Sequence, residues 1–293
     1  MSQPAGARPE PGPAPCYRHP DRLTRISCQR CSRPICGECM VEASVGFQCP
    51  DDARRSGGGR QPRTRTGAPL QLGGRPLSQY SAAVILVGIK VVVGLADLVT
   101  GGAVQAMLAS VNFLVGAGEV WRLVTHAFTS GSLLTLVINA LFLFFICRSI
   151  EAEIGRWRII AVYLLSALGS GAVLFAFGTP TGVLAGGLTA VLGLLAMNTS
   201  LKLRRSEDIK PDLVFLAILV AFNLVIGGFS RDALGVVNQL LGILGGVGFG
   251  FAAGWVLGHG PREGRTRRQV VGLSGLAVLA LVLVGARLAL QLA

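Results

Sequence analysis

The spacing of apolar and polar positions changes character near residue 81. Beyond it, apolar runs recur at 81–99, 133–150, 159–177, 182–200, 212–229, 234–257 and 270–292, separated by polar connections. A helix needs roughly 20 residues to cross a hydrocarbon core of about 30 Å, and every run has that length or nearly so. A barrel would need short strands alternating in polarity instead. Because each backbone polar group in lipid must be satisfied within its own segment, the runs predict seven transmembrane helices and an all-α membrane fold. The third, fourth and sixth runs are dense in Gly and Ala, which predicts helices packed with their backbones close together.

Residues 1–80 hold no such run and predict a soluble head. Within them, 1–15 is rich in Pro, Gly and Ala, and 53–80 in Gly, Arg and Pro. Neither composition buries enough apolar surface to offset chain entropy, so they read as a tail and a linker. Composition adds that 51% of the 293 residues are hydrophobic and only 14% charged, which excludes an ordinary soluble domain of this size. A disulfide-stapled secreted module is excluded because six of the seven cysteines crowd into one short segment of a long chain.

The net charge of +12 matters through its placement. The head carries Arg alone among the basic residues. Arg148, Arg156 and Arg158, then Lys202, Arg204, Arg205 and Lys210, then Arg262, Arg265, Arg267 and Arg268 fall in connections on the head's side of the membrane. Only Arg122, Arg231 and Arg287 fall on the other. Cytoplasmic loops are the ones enriched in Lys and Arg, so the expectation is a multi-pass cell-membrane protein with its N-terminus cytoplasmic and its C-terminus on the opposite face. No cleavable secretory signal is visible at the N-terminus. The basic charge is mostly topology. The Arg-rich linker lacks the interleaved aromatics of a nucleic-acid groove, so the lipid bilayer, with its anionic headgroups, is the expected partner rather than nucleic acid. Lys90 and Asp97 lie inside the first run; Lys90 is expected to snorkel, Asp97 to sit at the interface, and Trp121 and Arg122 to anchor the following connection at headgroup level.

Four pairs with a two-residue gap occupy the head: Cys16 and His19, Cys28 and Cys31, Cys36 and Cys39, Cys49 and Asp52. Such a gap brings two side chains onto one metal, and tetrahedral zinc takes two pairs, so eight ligands suit two closed structural sites. A cross-braced arrangement is expected: Cys16, His19, Cys36 and Cys39 on one Zn2+, and Cys28, Cys31, Cys49 and Asp52 on the other. Sequential pairing also satisfies the spacing, and Asp51 competes with Asp52 as the eighth ligand. The run CYRHPDRLTRISCQRC followed by SRPICGECM resembles a B-box-type zinc finger over residues 16–52, with an acid where the last cysteine would stand. That resemblance implies a docking or scaffolding role for a cytoplasmic protein partner.

Residues 118–160 read GEVWRLVTHAFTSGSLLTLVINALFLFFICRSIEAEIGRWRII. With Trp121 and Arg122 before the second run, Asn139 inside it, Glu151 or Glu153 with Gly155 and Arg156 after it, and small residues in the fourth and sixth, the chain resembles the rhomboid family of intramembrane serine proteases over residues 81–258. The resemblance implies a six-helix bundle, followed here by a basic connection and a seventh helix at 259–293. It also implies a nucleophilic serine in Gly-x-Ser-Gly at the head of the fourth helix and a histidine base on the sixth. This chain has Gly186-Gly187-Leu188-Thr189, which puts Leu188 at the serine. It has Gln239-Leu-Leu-Gly242 followed by Gly246, which puts Gln239 at the histidine, or Asn238 if the register slips by one. Ser130 and Thr135 fall where the family has two further histidines, and only Asn139 persists. Without a nucleophile and base in reach of each other there is no acyl transfer. The expectation is a pseudoprotease that holds transmembrane clients without cleaving them; a working rhomboid endopeptidase is the alternative that homology alone suggests.

Overall fold

The computed structural model describes residues 12–43, 46–55, 81–226, 233–258 and 264–292. The tail over 1–11, the linker over 56–80, the end of the fifth apolar run at 227–229 and the basic connection at 259–263 lie outside the described residues. The chain separates into two units, 1–62 and 63–293.

The first unit has little regular structure because its ladders are only two residues long. Strand β1 (Ala14–Pro15) pairs antiparallel with β2 (Leu23–Thr24), and β3 (Val41–Glu42) with β4 (Phe47–Gln48). A 3-10 turn at Gly37–Cys39 and the short helix α1 (Pro50–Arg55) complete it. Its buried centre is Ile35 together with Cys16, Cys28, Cys36, Cys39 and Cys49. A core made mainly of thiols is too small to hold a fold by apolar burial alone.

The second unit is helical. Helices α2 (Ala82–Val99), α6 (Leu133–Ile154), α7 (Arg156–Phe177), α10 (Ala233–Leu257) and α11 (Arg265–Leu292) follow the apolar runs, and these five are long and apolar enough to cross a membrane. Two shorter apolar helices, α8 (Leu188–Leu203) and α9 (Lys210–Ile226), follow the remaining runs. Between α2 and α6 the chain makes α3 (Ala103–Leu108), β5 (Ser110–Val111), α4 (Asn112–Gly116), α5 (Arg122–Thr125) and a 3-10 turn at His126–Phe128. A two-residue strand β6 (Val183–Leu184) precedes α8 and pairs antiparallel with β5, Ser110 opposite Leu184.

Packing is centred on α7, α8 and α10. The apolar window of α7 is 67% buried against 17% for that of α11, so α7 is a core helix and α11 lies on the periphery, packed on α7. Helices α8 and α10 approach through small residues. A Cβ on Gly246 would meet the Thr189 carbonyl, one on Gly250 the Gly193 carbonyl, and one on Gly254 the Met197 carbonyl, in each case inside contact distance. Lipid offers no hydrophobic drive for helix association, so this close approach supplies it through van der Waals contact. Gly250→Val should cost about 1–3 kcal/mol in detergent unfolding, because the obstructing atoms are backbone and cannot rotate away. Gly275→Ala on α11, with nothing within 4 Å of its Cβ, should be neutral or stabilise by up to about 1 kcal/mol.

Polar residues position the elements. Glu151, on α6, accepts from the Ser81 hydroxyl and the Ala82 amide and so caps the start of α2. Glu153 pairs with Arg205 beyond α8. Arg122 departs from its expected place among the headgroups. It is 5% exposed and donates to the Ala106 and Ala109 carbonyls at 2.7 and 2.8 Å and to Glu119 at 2.5 Å. Carbonyls in the last turn of a helix and at its C-cap have no intrahelical partner and need a donor, and the guanidinium reaches those of Ala106 and Ala109 at the end of α3. Its neighbour Trp121 stays 53% exposed.

Candidate functional site

Two groups of donors converge in the head. Cys16, His19, Cys36 and Cys39 form one and Cys28, Cys31, Cys49 and Asp52 the other, with the ligand atoms of each within 4.8 Å of one another. The convergence follows the cross-braced arrangement rather than the sequential one. His19 Nδ1 lies 3.3 Å from Cys36 Sγ and 3.4 Å from Cys39 Sγ. In the second group Cys31 and Cys49 Sγ are 3.7 Å apart, and Asp52 Oδ2 is 3.4 Å from both Cys28 and Cys49 Sγ. Zinc–sulfur bonds of about 2.3 Å in a tetrahedron imply sulfur–sulfur edges of about 3.8 Å, so the donor sets fit a tetrahedral thiophilic ion. Asp51 is used differently: its carboxylate accepts from Tyr17 Oη at 3.0 Å, which with burial pushes the phenol up to about 12. Backbone amides aim at the sulfurs. Burial opposes ionisation of Cys16, but N–H groups of Arg18, Cys36 and His19 outweigh it and bring the thiol down to about 6. That is how a knuckle prepares a thiolate for a metal.

In the membrane unit the polar residues gather around the start of α8. Gly187 caps the helix with φ +65 and Gly186 precedes it with φ +102, both left-handed conformations that favour glycine. A Cβ on Gly187 would also strike the Ala127 carbonyl. The turn is tied down by three donors and acceptors. Asn139 Nδ2 donates to the Gly186 carbonyl at 2.8 Å, the Gly186 amide donates to Thr129 Oγ1 at 3.0 Å, and Lys90 Nζ donates to Gly186 O at 3.1 Å. Lys90 also donates to the Ala127 and Thr129 carbonyls, both at 3.1 Å, and is 1% exposed. It does not snorkel. Three carbonyls converging under the α8 turn offer it closer acceptors than the membrane surface does. Asp97 behaves as a loop cap at the end of α2, accepting from the Gln105 amide at 2.6 Å.

Leu188 is the first residue of α8 and is buried. Thr189 Oγ1 is buried without a hydrogen-bond partner among the described residues. His126 sits in the 3-10 turn, fully buried, with Nδ1 3.2 Å from the Arg122 carbonyl and Nε2 unpartnered. His19 belongs to the first metal group, and His259 lies outside the described residues. On α10 the two amides point in different directions. Gln239 Nε2 donates to Asn223 of α9, to its carbonyl at 2.6 Å and Oδ1 at 2.8 Å. Asn238 accepts from the Thr179 amide at 3.0 Å and donates to Thr179 Oγ1 at 2.8 Å, fastening the turn after α7.

The same segment is what known proteins share with this chain. Residues 117–260 match the rhomboid domain. Helices α6 to α10 lie inside the matched stretch, and the head, α2 and α11 outside it. RHOMBOID-like protein 4 of Arabidopsis thaliana is 32% identical over 157 residues, which is 53% of this chain and 38% of that protein. Rhomboid protease GlpG of Klebsiella pneumoniae is 28% identical over 139 residues, 45% of this chain and 48% of that protein. GlpG of Salmonella newport is 27% identical over 136 residues, with the same shares. The chain thus spans less than half the length of the curated relatives it matches.

Sequence reasoning had singled out Asn139 and the glycines of the rhomboid domain, and these do gather at the α8 turn and the α8–α10 contact. It missed Lys90 as a member of that cluster, although an unpaired lysine in the middle of an apolar run is itself a signal. Asn223, the acceptor for Gln239, carried the same signal in the fifth run.

Proposed function

We propose that this is a pseudoprotease of the rhomboid family, which binds transmembrane clients in the bilayer without cleaving them, and that its head is a B-box-like finger holding two structural zinc ions that docks a cytoplasmic protein partner. The observation that carries the reading is the α8 turn. Leu188 stands at the nucleophile position of the rhomboid pattern, and Asn139, retained where the two histidines are not, gives one of its two Nδ2 protons to the Gly186 carbonyl. Gln239, at the base position, has committed its amide to α9. An amide is no general base, and without a nucleophile beside a base an oxyanion donor has no intermediate to stabilise. Seven spans, the two shorter helices included, with the N-terminus cytoplasmic, complete the reading.

A place for a client is supported by how α9 is held. It meets α6 through aromatic rings, Phe142 facing Phe215 and Phe222 with centroids 6.1 and 6.0 Å apart, and meets α10 through the Gln239–Asn223 pair. Each of these contacts has a side chain on at least one partner, so rotamer changes alone can release it, which suits lateral admission of a single helix.

The second reading, an active intramembrane serine endopeptidase, is favoured by the relatives named Rhomboid protease GlpG. Purified full-length protein in detergent, incubated with a generic rhomboid substrate, separates the two. The unmodified chain should give no cleavage above a no-enzyme control, and Leu188→Ser combined with Gln239→His should be the only form able to gain it. Cleavage by the unmodified chain overturns the proposal.

A further inference from the structure

Among the seven cysteines Cys31 is the one that is not buried. Its knuckle turns sharply: the Ser32 amide donates to the Cys28 carbonyl at 2.8 Å with Ser32 at φ +59, and Gln29, Arg30, Ser32 and Arg33 are exposed. Cys28 and Cys49, its partners in the second donor group, are each 1% exposed, and Cys16, Cys36 and Cys39 of the first group are buried too. A reagent in solution therefore meets one sulfur of the head first. Charge favours the same centre. Around a divalent ion the second group carries one more negative charge than the first, because the Asp52 carboxylate stands where the first has the His19 imidazole. Its sulfurs keep more thiolate character, and oxidation follows thiolate character and exposure. A second thiol is in place as well. Cys49 Sγ lies 3.7 Å from Cys31 Sγ, so a bond of about 2 Å is within reach of the two side chains.

We propose that Cys31 is a site of oxidation by hydrogen peroxide, that Cys49 resolves the oxidised sulfur to a disulfide, and that the second centre thereby gives up its ion while the first keeps its own. The Cys31 thiolate attacks one peroxide oxygen and the O–O bond breaks, leaving a sulfenic acid on Cys31 and hydroxide, which solvent protonates to water. The Cys49 thiolate then attacks the Cys31 sulfur; the S–S bond forms and the sulfenic oxygen leaves as a second hydroxide, protonated in turn. The two thiolates have lost two electrons and the peroxide has gained them. Cys28 and Asp52 remain, half the ligands that structural zinc takes. A thiol reductant returns both sulfurs, so the change is reversible. This inference rests on the zinc assignment of the head and adds a condition to it: the half of the finger built on the second centre is held together only in a reducing compartment.

Purified full-length protein in detergent is filled with zinc under a thiol reductant, freed of the reductant, and treated with a modest excess of hydrogen peroxide while a metal indicator reads free zinc. One ion per chain should leave, and a non-reducing peptide map should show Cys31 joined to Cys49. Restoring the reductant should erase the bond and take the ion back up. Cys31→His keeps a zinc donor at the exposed position with no sulfur to oxidise, and should hold both ions through the same treatment. Where that variant starts with one ion, the peptide map of the unmodified chain decides. Cys147→Ala, which removes the buried thiol of α6, should release zinc as the unmodified chain does. A chain that begins with fewer than two ions overturns the zinc assignment and this inference with it. A chain that begins with two overturns this inference alone if it keeps both, loses both together, forms its disulfide in the first group, or releases one equally fast in Cys31→His.

Discussion

Treating the full-length protein with a strong chelator is expected to release two zinc ions per chain and to turn residues 16–52 from protease-resistant to protease-sensitive, leaving the helical unit folded. The size of the effect follows from what the head has for a core. Ile35 and five thiols are its buried centre, and its ladders are two residues long. A structural zinc contributes about 10–16 kcal/mol to folding in small metal-dependent domains, as much as the whole stability of an ordinary domain, about 5–15 kcal/mol. Cys36→Ser and Cys28→Ser should each expose the head to protease at ambient zinc. The two centres should not empty together. The second substitutes an Asp52 carboxylate for a thiolate, and zinc in a sulfur-rich site is held more firmly by the softer ligand, so this centre should release its ion first as chelator rises or pH falls. Protons compete for thiolates, and occupancy therefore declines on acidification. Asp52→Cys should abolish the lag between the two releases. Retention of protease resistance after both ions have gone, or release of fewer than two, would contradict the assignment.

How far the sequence led depended on whether an interaction was local, periodic or neither. The two-residue gaps are local, and so is the choice of Asp52. It lies three residues after Cys49, on the same side of α1's first turn, while Asp51 is rotated by about 100° and meets Tyr17 instead. The pairing of the Cys28 pair with the Cys49 pair is not local, and spacing left it open. The helices were legible because an apolar run has to form its hydrogen bonds internally; α8 came out shorter because its run opens with β6 and the Gly186–Gly187 turn, and the last residues of the fifth run lie outside the described residues. Lys90 and Arg122 were misplaced for one reason. Their acceptors are backbone carbonyls, at 127, 129 and 186 for Lys90 and at 106 and 109 for Arg122, and a carbonyl has no signature in sequence. One-dimensional depth then makes a basic residue look as though it must reach for the surface.

Lys90→Ala should destabilise the membrane unit by about 2–5 kcal/mol, the range for truncating a large buried side chain to alanine, read as a shift in unfolding in mixed micelles. Two contributions combine: three charge-assisted bonds are lost, and a four-carbon stem leaves a void that neighbouring backbone cannot fill. Lys90→Met separates them. Each of the three carbonyls keeps a second donor: Tyr163 Oη on Ala127, Ser130 Oγ on Thr129 and Asn139 Nδ2 on Gly186. Methionine therefore orphans no oxygen and nearly conserves volume, and should cost only about 1 kcal/mol, as buried charges replaced by similar apolar groups often do. What it should change is local. Lys90 is the group that joins α2, the 3-10 turn and the start of α8, so amide exchange should quicken over 126–130 and 186–189 in Lys90→Met while the rest of α7 and α10 stays protected. If Lys90→Ala cost well under about 1 kcal/mol, the ammonium would have to be reaching water along its stem, and the lysine would have no part in fixing the turn on which Leu188 stands.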